Sequence, residues 1–244
     1  MFKNNFFDFN FQSLKTFLIK DLKIEEKKIS MRSKQIWQSI YKNGSFEIKN
    51  LSTLPVELRS KLGDLISVER PQIKKTQTST DGTIKWLIEL FDGNEVECVY
   101  IPEETRATLC ISSQVGCTLN CRFCHTGTQR LVKNLSFAEI INQVIIAKEK
   151  LNDWGDRKKI TNIVLMGMGE PFYNYDNVKI AVEILKPHAT FGLNHANETE
   201  MSEALFNKID WVTGENSNET AITTKTNPHA EITWPLVKAE MDKL

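Results

Sequence analysis

ATLCISSQVG (residues 107–116), SFAEIINQVII (136–146) and ITNIVLMGMGEP (160–171) are the segments that decide the fold. The first reads as a strand that runs into a loop. In the second, Ser136 and Glu139 form a capping-box pair, and Ile140, Ile141, Val144, Ile145 and Ile146 follow at helical spacing. The third is a nearly continuous apolar strand, Ile160 to Met166, ending in Gly167-Met168-Gly169-Glu170-Pro171. Tyr175-Asp176-Asn177 then stands where a cap would open a helix through Val178, Ile180, Ala181, Ile184 and Leu185. Strand, helix, strand, helix predicts an α/β fold with a parallel sheet and right-handed crossovers.

Upstream the pattern is different. Phe11, Leu14, Phe17 and Leu18 fall on one helical face, as do Ile36, Trp37, Ile40 and Tyr41, with Gly44 as the stop. Pro55 opens a third helix through Leu58 and Leu62. Between about 70 and 101 the texture turns to strands, and Asp92-Gly93 between two alternating runs signals a hairpin. After Pro187 the sequence becomes rich in Asn, Thr and Glu. The 244 residues carry 31 Lys+Arg and 31 Asp+Glu, which excludes a uniformly basic nucleic-acid-coating protein. The cancellation hides an asymmetry: residues 1–61 hold twelve basic against six acidic side chains, and residues 188–244 hold four against nine. No apolar run approaches the ~18–20 residues that span a bilayer. The start, MFKNNFFDFNFQSLK, lacks the unbroken apolar stretch of a signal peptide, so no membrane and a cytoplasmic location are expected.

Of five cysteines, four lie between Cys110 and Cys124, which argues for metal or thiol chemistry over a disulfide framework. Cys117-Thr-Leu-Asn-Cys121-Arg-Phe-Cys124 is a C-x3-C-x2-C spacing. Three thiolates suit three irons of a four-iron cluster with one iron left open, the arrangement that lets S-adenosylmethionine bind there. Two other readings stand beside it. A zinc site wants a fourth ligand, and His125 is adjacent to Cys124, a poor position from which to close a tetrahedron. A redox pair in Cys121-x-x-Cys124 leaves Cys117 unexplained. Gly167 and Gly169, read alone, form a plain tight turn. Glu97 reads as an outward strand carboxylate, and Cys98 as a small buried apolar residue.

The segment from Glu97 through VYIPEETRATLCISSQVGCTLNCRFCHTGTQ to Asn134-Leu135 resembles the radical S-adenosylmethionine (SAM) RNA methyltransferases that modify carbon 2 of adenine. The resemblance takes in Gln35-Ile36-Trp37, Tyr41 to Gly44, Leu51 to Arg59, Met166 to Pro171 and Asn174 to Val178, about residues 9–187. It implies that Cys117, Cys121 and Cys124 hold a 4Fe–4S cluster. Gly169 and Glu170 would bind the methionyl part of SAM, beyond the carboxyl end of a strand as α/β sheets favour. In the family a cysteine near the C-terminal end is methylated by one SAM, and a second SAM supplies the radical that activates the methyl group. The carbon radical adds to the adenine, and a second thiol resolves the adduct. Cys110 matches that second thiol and Glu97 the proton acceptor. The implied partners are 23S ribosomal RNA, tRNA and an electron donor for the cluster.

The resemblance divides the chain into a helical RNA-binding accessory domain (1–66), a β-hairpin connector (67–101), the first part of a partial (β/α) radical SAM barrel (102–187) and an unassigned acidic tail (188–244). The basic head suits phosphate contacts. It also suits a site that reaches an adenine taken out of its stack. No cysteine follows Cys124, so the methyl-carrying thiol has no match, and Cys98 leaves from a different strand. The sequence-based expectation is therefore a truncated or rearranged, inactive chain. Its alternatives are a non-catalytic iron–sulfur or RNA-binding remnant and a zinc-binding RNA module.

Overall fold

The structure is a computed structural model and describes residues 3–119, 124–154 and 159–185. Cys121 and the acidic tail lie outside the described residues, as do the sequence expectations that fall on them. Strand β1 (Asn4–Asn5) leads through a short 3-10 turn into α1 (Phe11–Lys20), α2 (Glu26–Tyr41) and α3 (Val56–Leu65), after which β2 (Ile66–Ser67) pairs in parallel with β1. Asn10 caps α1, its Oδ1 accepting the Ser13 N–H at 2.8 Å. Leu14, Phe17 and Leu18 of α1 and Ile36, Trp37, Ile40 and Tyr41 of α2 are buried, as the sequence spacing predicts. Phe11, on the same face of α1, remains partly exposed. Phe6 sits 5.7 Å from the Trp37 ring and 5.6 Å from the Tyr41 ring, so the aromatic side chains are the centre of this helical core.

The second half of the described chain is built on a sheet. Strands β3 (Gln72–Thr78), β4 (Ile84–Glu89), β5 (Glu95–Pro102) and β6 (Ala107–Cys110) are antiparallel neighbours in turn. A small pair follows, β7 (Gln114–Val115) with β8 (Lys133–Asn134), and then α4 (Phe137–Leu151), β9 (Asn162–Val164) and α5 (Tyr175–Leu185). The five-stranded order is β3-β4-β5-β6-β9, and β6 pairs in parallel with β9. The β6–α4–β9 passage is thus the parallel crossover that the sequence predicts. The Asp92-Gly93 hairpin is present too, with Leu90 N–H bonded to Asn94 O at 2.7 Å and Gly93 at φ +81°. A tight turn, Glu103 N–H to Arg106 O at 2.8 Å, carries β5 into β6, so the hairpin is continuous with the sheet that holds Cys110.

The register sorts side chains onto two faces. Trp86, Ile88, Val96, Cys98 and Leu109 are buried, and Cys98 Sγ lies 4.0 Å from the Gln143 carbonyl of α4. Lys85, Leu87, Glu97, Val99, Cys110 and Val164 occupy the opposite face and are only half-buried. Burying each large apolar side chain of the first set stabilises by about 1.5–3 kcal/mol, which holds α4 against the sheet.

Two expectations need correction. The apolar run Ile160–Met166 forms a strand only over Asn162–Val164, because its partner β6 ends at Cys110 and the ladder has no further edge to follow. Tyr175, Asp176 and Asn177 do not precede the helix. A 3-10 turn, Pro171–Asn174, runs straight into α5 at Tyr175, and Glu170 caps that turn by accepting the Phe172 N–H at 3.2 Å.

The capping box at α4 is complete: Ser136 Oγ accepts the Glu139 N–H at 3.2 Å, and Glu139 Oε2 accepts the Ser136 N–H at 2.8 Å. Ser136→Ala is expected to lower stability by about 1 kcal/mol. Urea unfolding followed by circular dichroism checks this, and an unchanged midpoint contradicts it.

Candidate functional site

The site lies where β6 and β9 end. Beyond β6 the chain passes through Ile111-Ser112-Ser113 into β7 and then to Cys117, and beyond β9 it enters the Gly167–Glu170 turn. Backbone bonds tie the two segments: Ile111 N–H to Val164 O at 2.9 Å, Gly167 N–H to Ile111 O at 3.0 Å, and Ser113 N–H to Met168 O at 2.8 Å. Glycine is needed at this crossing. A methyl group at Gly167 would sit 2.7 Å from Ser112 Oγ, and one at Gly169, where φ is +95°, would sit 2.4 Å from Gln114 Cβ.

Buried polar side chains complete the crossing. Ser112 Oγ donates to Glu97 O at 2.7 Å and accepts from Met168 N at 2.9 Å. Gln143 of α4 bonds both backbone groups of Ser112, its Oε1 accepting at 2.8 Å and its Nε2 donating at 2.9 Å. Asn174 Nδ2 donates to Ser113 O and to Leu135 O, each at 2.7 Å. Sequence reasoning missed all of these residues. Their only signal is polarity at positions flanked by apolar strand and helix residues.

The cysteine segment folds back on itself at Gly116, where φ is +75° and an added methyl group would lie 2.1 Å from Arg130 O. Cys117 bridges to Arg130, and Val132 N–H bonds Val115 O at 2.8 Å. Cys117 and Cys124 are both half-exposed. Leu119 N–H points at Cys117 Sγ from 3.4 Å, the kind of donor that stabilises a thiolate ligand. His125 is exposed, and among the described residues no group of three His, Cys, Asp or Glu side chains is set to hold a metal ion. Cys121, the expected third thiol, lies outside the described residues.

Glu97 and Cys110 share the half-buried sheet face. Glu97 pairs with Lys85 at 2.9 Å and lines a shallow cavity of about 150 Å³ with Lys75, Gln77, Lys85 and Leu87. Burial pushes the Cys110 thiol up to about 11, with a bond to the Met166 backbone drawing it partly back and the Glu97 charge adding to the rise. Burial also raises Glu170, opposed by its bond from Phe172 N–H. Cys98 lies on the other face, fully buried, and burial holds its thiol well above the ordinary range. It takes no part in the site.

A half-exposed cysteine segment and a glycine turn thus lie together at the carboxyl ends of adjacent parallel strands, the place where α/β sheets hold ligands. Consistently, the Radical SAM superfamily matches residues 111–214, reaching past the Lys186-Pro187 limit of the recognised motifs. More narrowly, the chain carries the radical SAM domain and is a homologue of the dual-specificity RNA methyltransferases called RlmN. It is 47% identical over 191 residues to the protein of that name from Bradyrhizobium sp. BTAi1, covering 73% of this chain and 47% of the relative. Against the Rhodopseudomonas palustris BisB5 protein it is 48% identical over 181 residues, covering 69% and 46%. A crystal structure of a radical SAM methyltransferase from Sphaerobacter thermophilus matches with a TM-score of 0.64 at 33% identity, covering 74% of this chain and 51% of that one. The chain therefore spans about half the length of the relatives it matches.

The radical SAM family implies a 4Fe–4S cluster and SAM, and the described residues fit them. Cys117 and Cys124 are soft donors on one half-exposed segment, and Gln114 at the base of that segment holds the Gly169–Glu170 turn beside it.

Raising a thiol from 9.0 to about 11 leaves roughly a hundredfold less thiolate at pH 8. Iodoacetamide labelling of Cys110, followed by peptide mass spectrometry from pH 7 to 11, is therefore expected to be slow at pH 8 and to rise steeply only above pH 9. Labelling of Cys110 that levels off by pH 9 contradicts this.

Proposed function

We propose that the protein is a radical SAM RNA methyltransferase of cytoplasmic RNA, acting on carbon 2 of adenine in 23S rRNA and tRNA. The observation that carries this reading is the junction of the cysteine segment with the Gly169–Glu170 turn across the β6–β9 pair. On this reading Cys117, Cys121 and Cys124 hold the 4Fe–4S cluster, and Gly169 and Glu170 bind the methionyl group of SAM. When bound, a cluster held there would supply an electron, received from an external donor, for the reductive cleavage of SAM.

The chain's own residues then have separate tasks. Glu170 presents a half-buried carboxyl beside the turn. Cys110, half-buried, is kept protonated until a base draws its proton, and this keeps the thiol from reacting early. Glu97, on the same face and held by Lys85, is the acceptor for a proton taken from the adenine ring. The division into a helical accessory domain (1–66), a hairpin (67–101) and the partial barrel (102–187) suits this use, with the basic head contacting phosphates.

Anaerobic reconstitution with iron and sulfide tests the ligand set. The unmodified chain is expected to gain a brown chromophore, and Ala at any of Cys117, Cys121 or Cys124 to abolish it. Normal iron and sulfide uptake by the triple variant overturns the assignment.

The family's route uses two thiols, and the 244 residues hold none after Cys124. The chain by itself is therefore expected to form no 2-methyladenosine when incubated with reductant, SAM and ribosomal RNA, as read by nucleoside mass spectrometry. Product above a Cys110→Ala control contradicts this and supports a methyl carrier within these residues.

A further inference from the structure

Gln114 is fully buried, yet every polar atom of its amide is engaged on the segments that frame the site. Its Oε1 accepts the Glu170 N–H at 2.9 Å, and its Nε2 donates to Asn134 Oδ1 at 2.7 Å. Its backbone N–H bonds Met168 O at 3.1 Å. Asn134 in turn donates from Nδ2 to Tyr173 O at 3.0 Å, so the side-chain pair holds Glu170 and the 3-10 turn that follows it, while the Gln114 backbone holds Met168 ahead of Gly169. The contact with Gly169 is close enough that a Cβ there would overlap Gln114 Cβ, Cγ and N at 2.4, 2.6 and 2.7 Å. Gln114 also belongs to β7, three residues before Cys117, and Asn134 to its partner β8, which closes the cysteine segment.

We propose that Gln114 is a positioning residue for SAM: it fixes the Gly169–Glu170 turn against the base of the cysteine segment, so that the turn and the thiols keep one spacing. This inference rests on the reading that Gly169 and Glu170 bind SAM. A loop peptide left to water would sample many conformations, and ordering it at binding would weaken affinity. A buried amide with both its acceptor and its donor satisfied removes that cost before SAM arrives. A hydrophobic residue of the same size fills the space but leaves the Glu170 N–H and Asn134 Oδ1 without partners.

The test uses the 244-residue chain in two forms. In the apo chain, hydrogen exchange at the Glu170 amide is expected to quicken at least tenfold in Gln114→Leu and to stay within threefold in Gln114→Glu, whose carboxyl still accepts. In the reconstituted chain, calorimetric SAM binding is expected to weaken at least tenfold in Gln114→Leu with iron and sulfide content unchanged. Asn134→Ala, which keeps Gln114 but unanchors its amide, is expected to weaken binding three- to tenfold, and it carries the test should Gln114→Leu fail to fold. Unchanged exchange in Gln114→Leu overturns the clamp. Faster exchange with unchanged SAM affinity makes Gln114 merely structural, and overturns the proposal if Gly169→Ala abolishes binding. SAM binding that survives Gly169→Ala, or no SAM binding by the unmodified reconstituted chain, instead overturns the reading of Gly169–Glu170 itself and this inference with it.

Discussion

The parallel pairing of β6 with β9 is the constraint on which the rest of the site depends. Only three residue pairs make it, Thr108 with Asn162, Leu109 with Ile163 and Cys110 with Val164. Because both strands run the same way, their carboxyl ends emerge side by side, which is where α/β sheets hold ligands. The cysteine segment and the glycine turn are consequently neighbours although more than forty positions separate them in the sequence. A short ladder of this kind is not strong by itself. It is held by α4, which packs on β5 and bonds Ser112 just beyond β6, and by Asp153, which accepts N–H bonds from Lys159 at 2.6 Å and Ile160 at 3.1 Å where the chain enters β9.

Polar groups at the crossing are buried, and each hydrogen bond contributes modestly when made but costs about 1–3 kcal/mol when one partner is lost. Ser112, Gln114, Gln143 and Asn174 therefore act less as stabilisers than as selectors of one geometry. The helical head is tied to the same framework. The Trp154 indole lies against Gly44, where a Cβ would come within 2.4 Å, and packs edge-on to Phe46 with centroids 5.6 Å apart. Arg70 stacks over Phe46 at 4.0 Å and pairs with Glu149 of α4 at 3.1 Å. The helical head, with its excess of basic side chains, is thus fixed to the helix that supports the site.

Periodicity and capping chemistry made much of the fold legible. The α1 and α2 faces, the Asp92-Gly93 hairpin and the Ser136–Glu139 box all rest on local rules, and local rules survive tertiary packing. The length of β9 was not legible, since a strand ends where its partner ends, and that partner is some fifty residues away. The start of α5 at Tyr175 was not legible, because the 3-10 turn Pro171–Asn174, itself capped by Glu170, runs straight into it. Asn177 Oδ1 instead accepts the Phe137 N–H of α4 at 3.1 Å. Cysteine spacing with the flanking motifs pointed to the cofactors. The amides that hold the site were invisible, because Ser-Ser-Gln between a strand and a glycine reads as loop until the sheet closes over it. Cys98 and Cys110 show the same limit in miniature: two cysteines on neighbouring strands, one sealed under α4 and one on the open face, separated only by register.

The central claim is that the cysteine segment and the Gly169–Glu170 turn form one cofactor site. Electron paramagnetic resonance of the reduced, reconstituted chain, recorded with and without SAM, tests it most directly. The account predicts that SAM shifts the cluster spectrum in the unmodified chain and leaves it unshifted in Glu170→Ala. A cluster signal that SAM does not perturb, or that it perturbs equally in both, would contradict it.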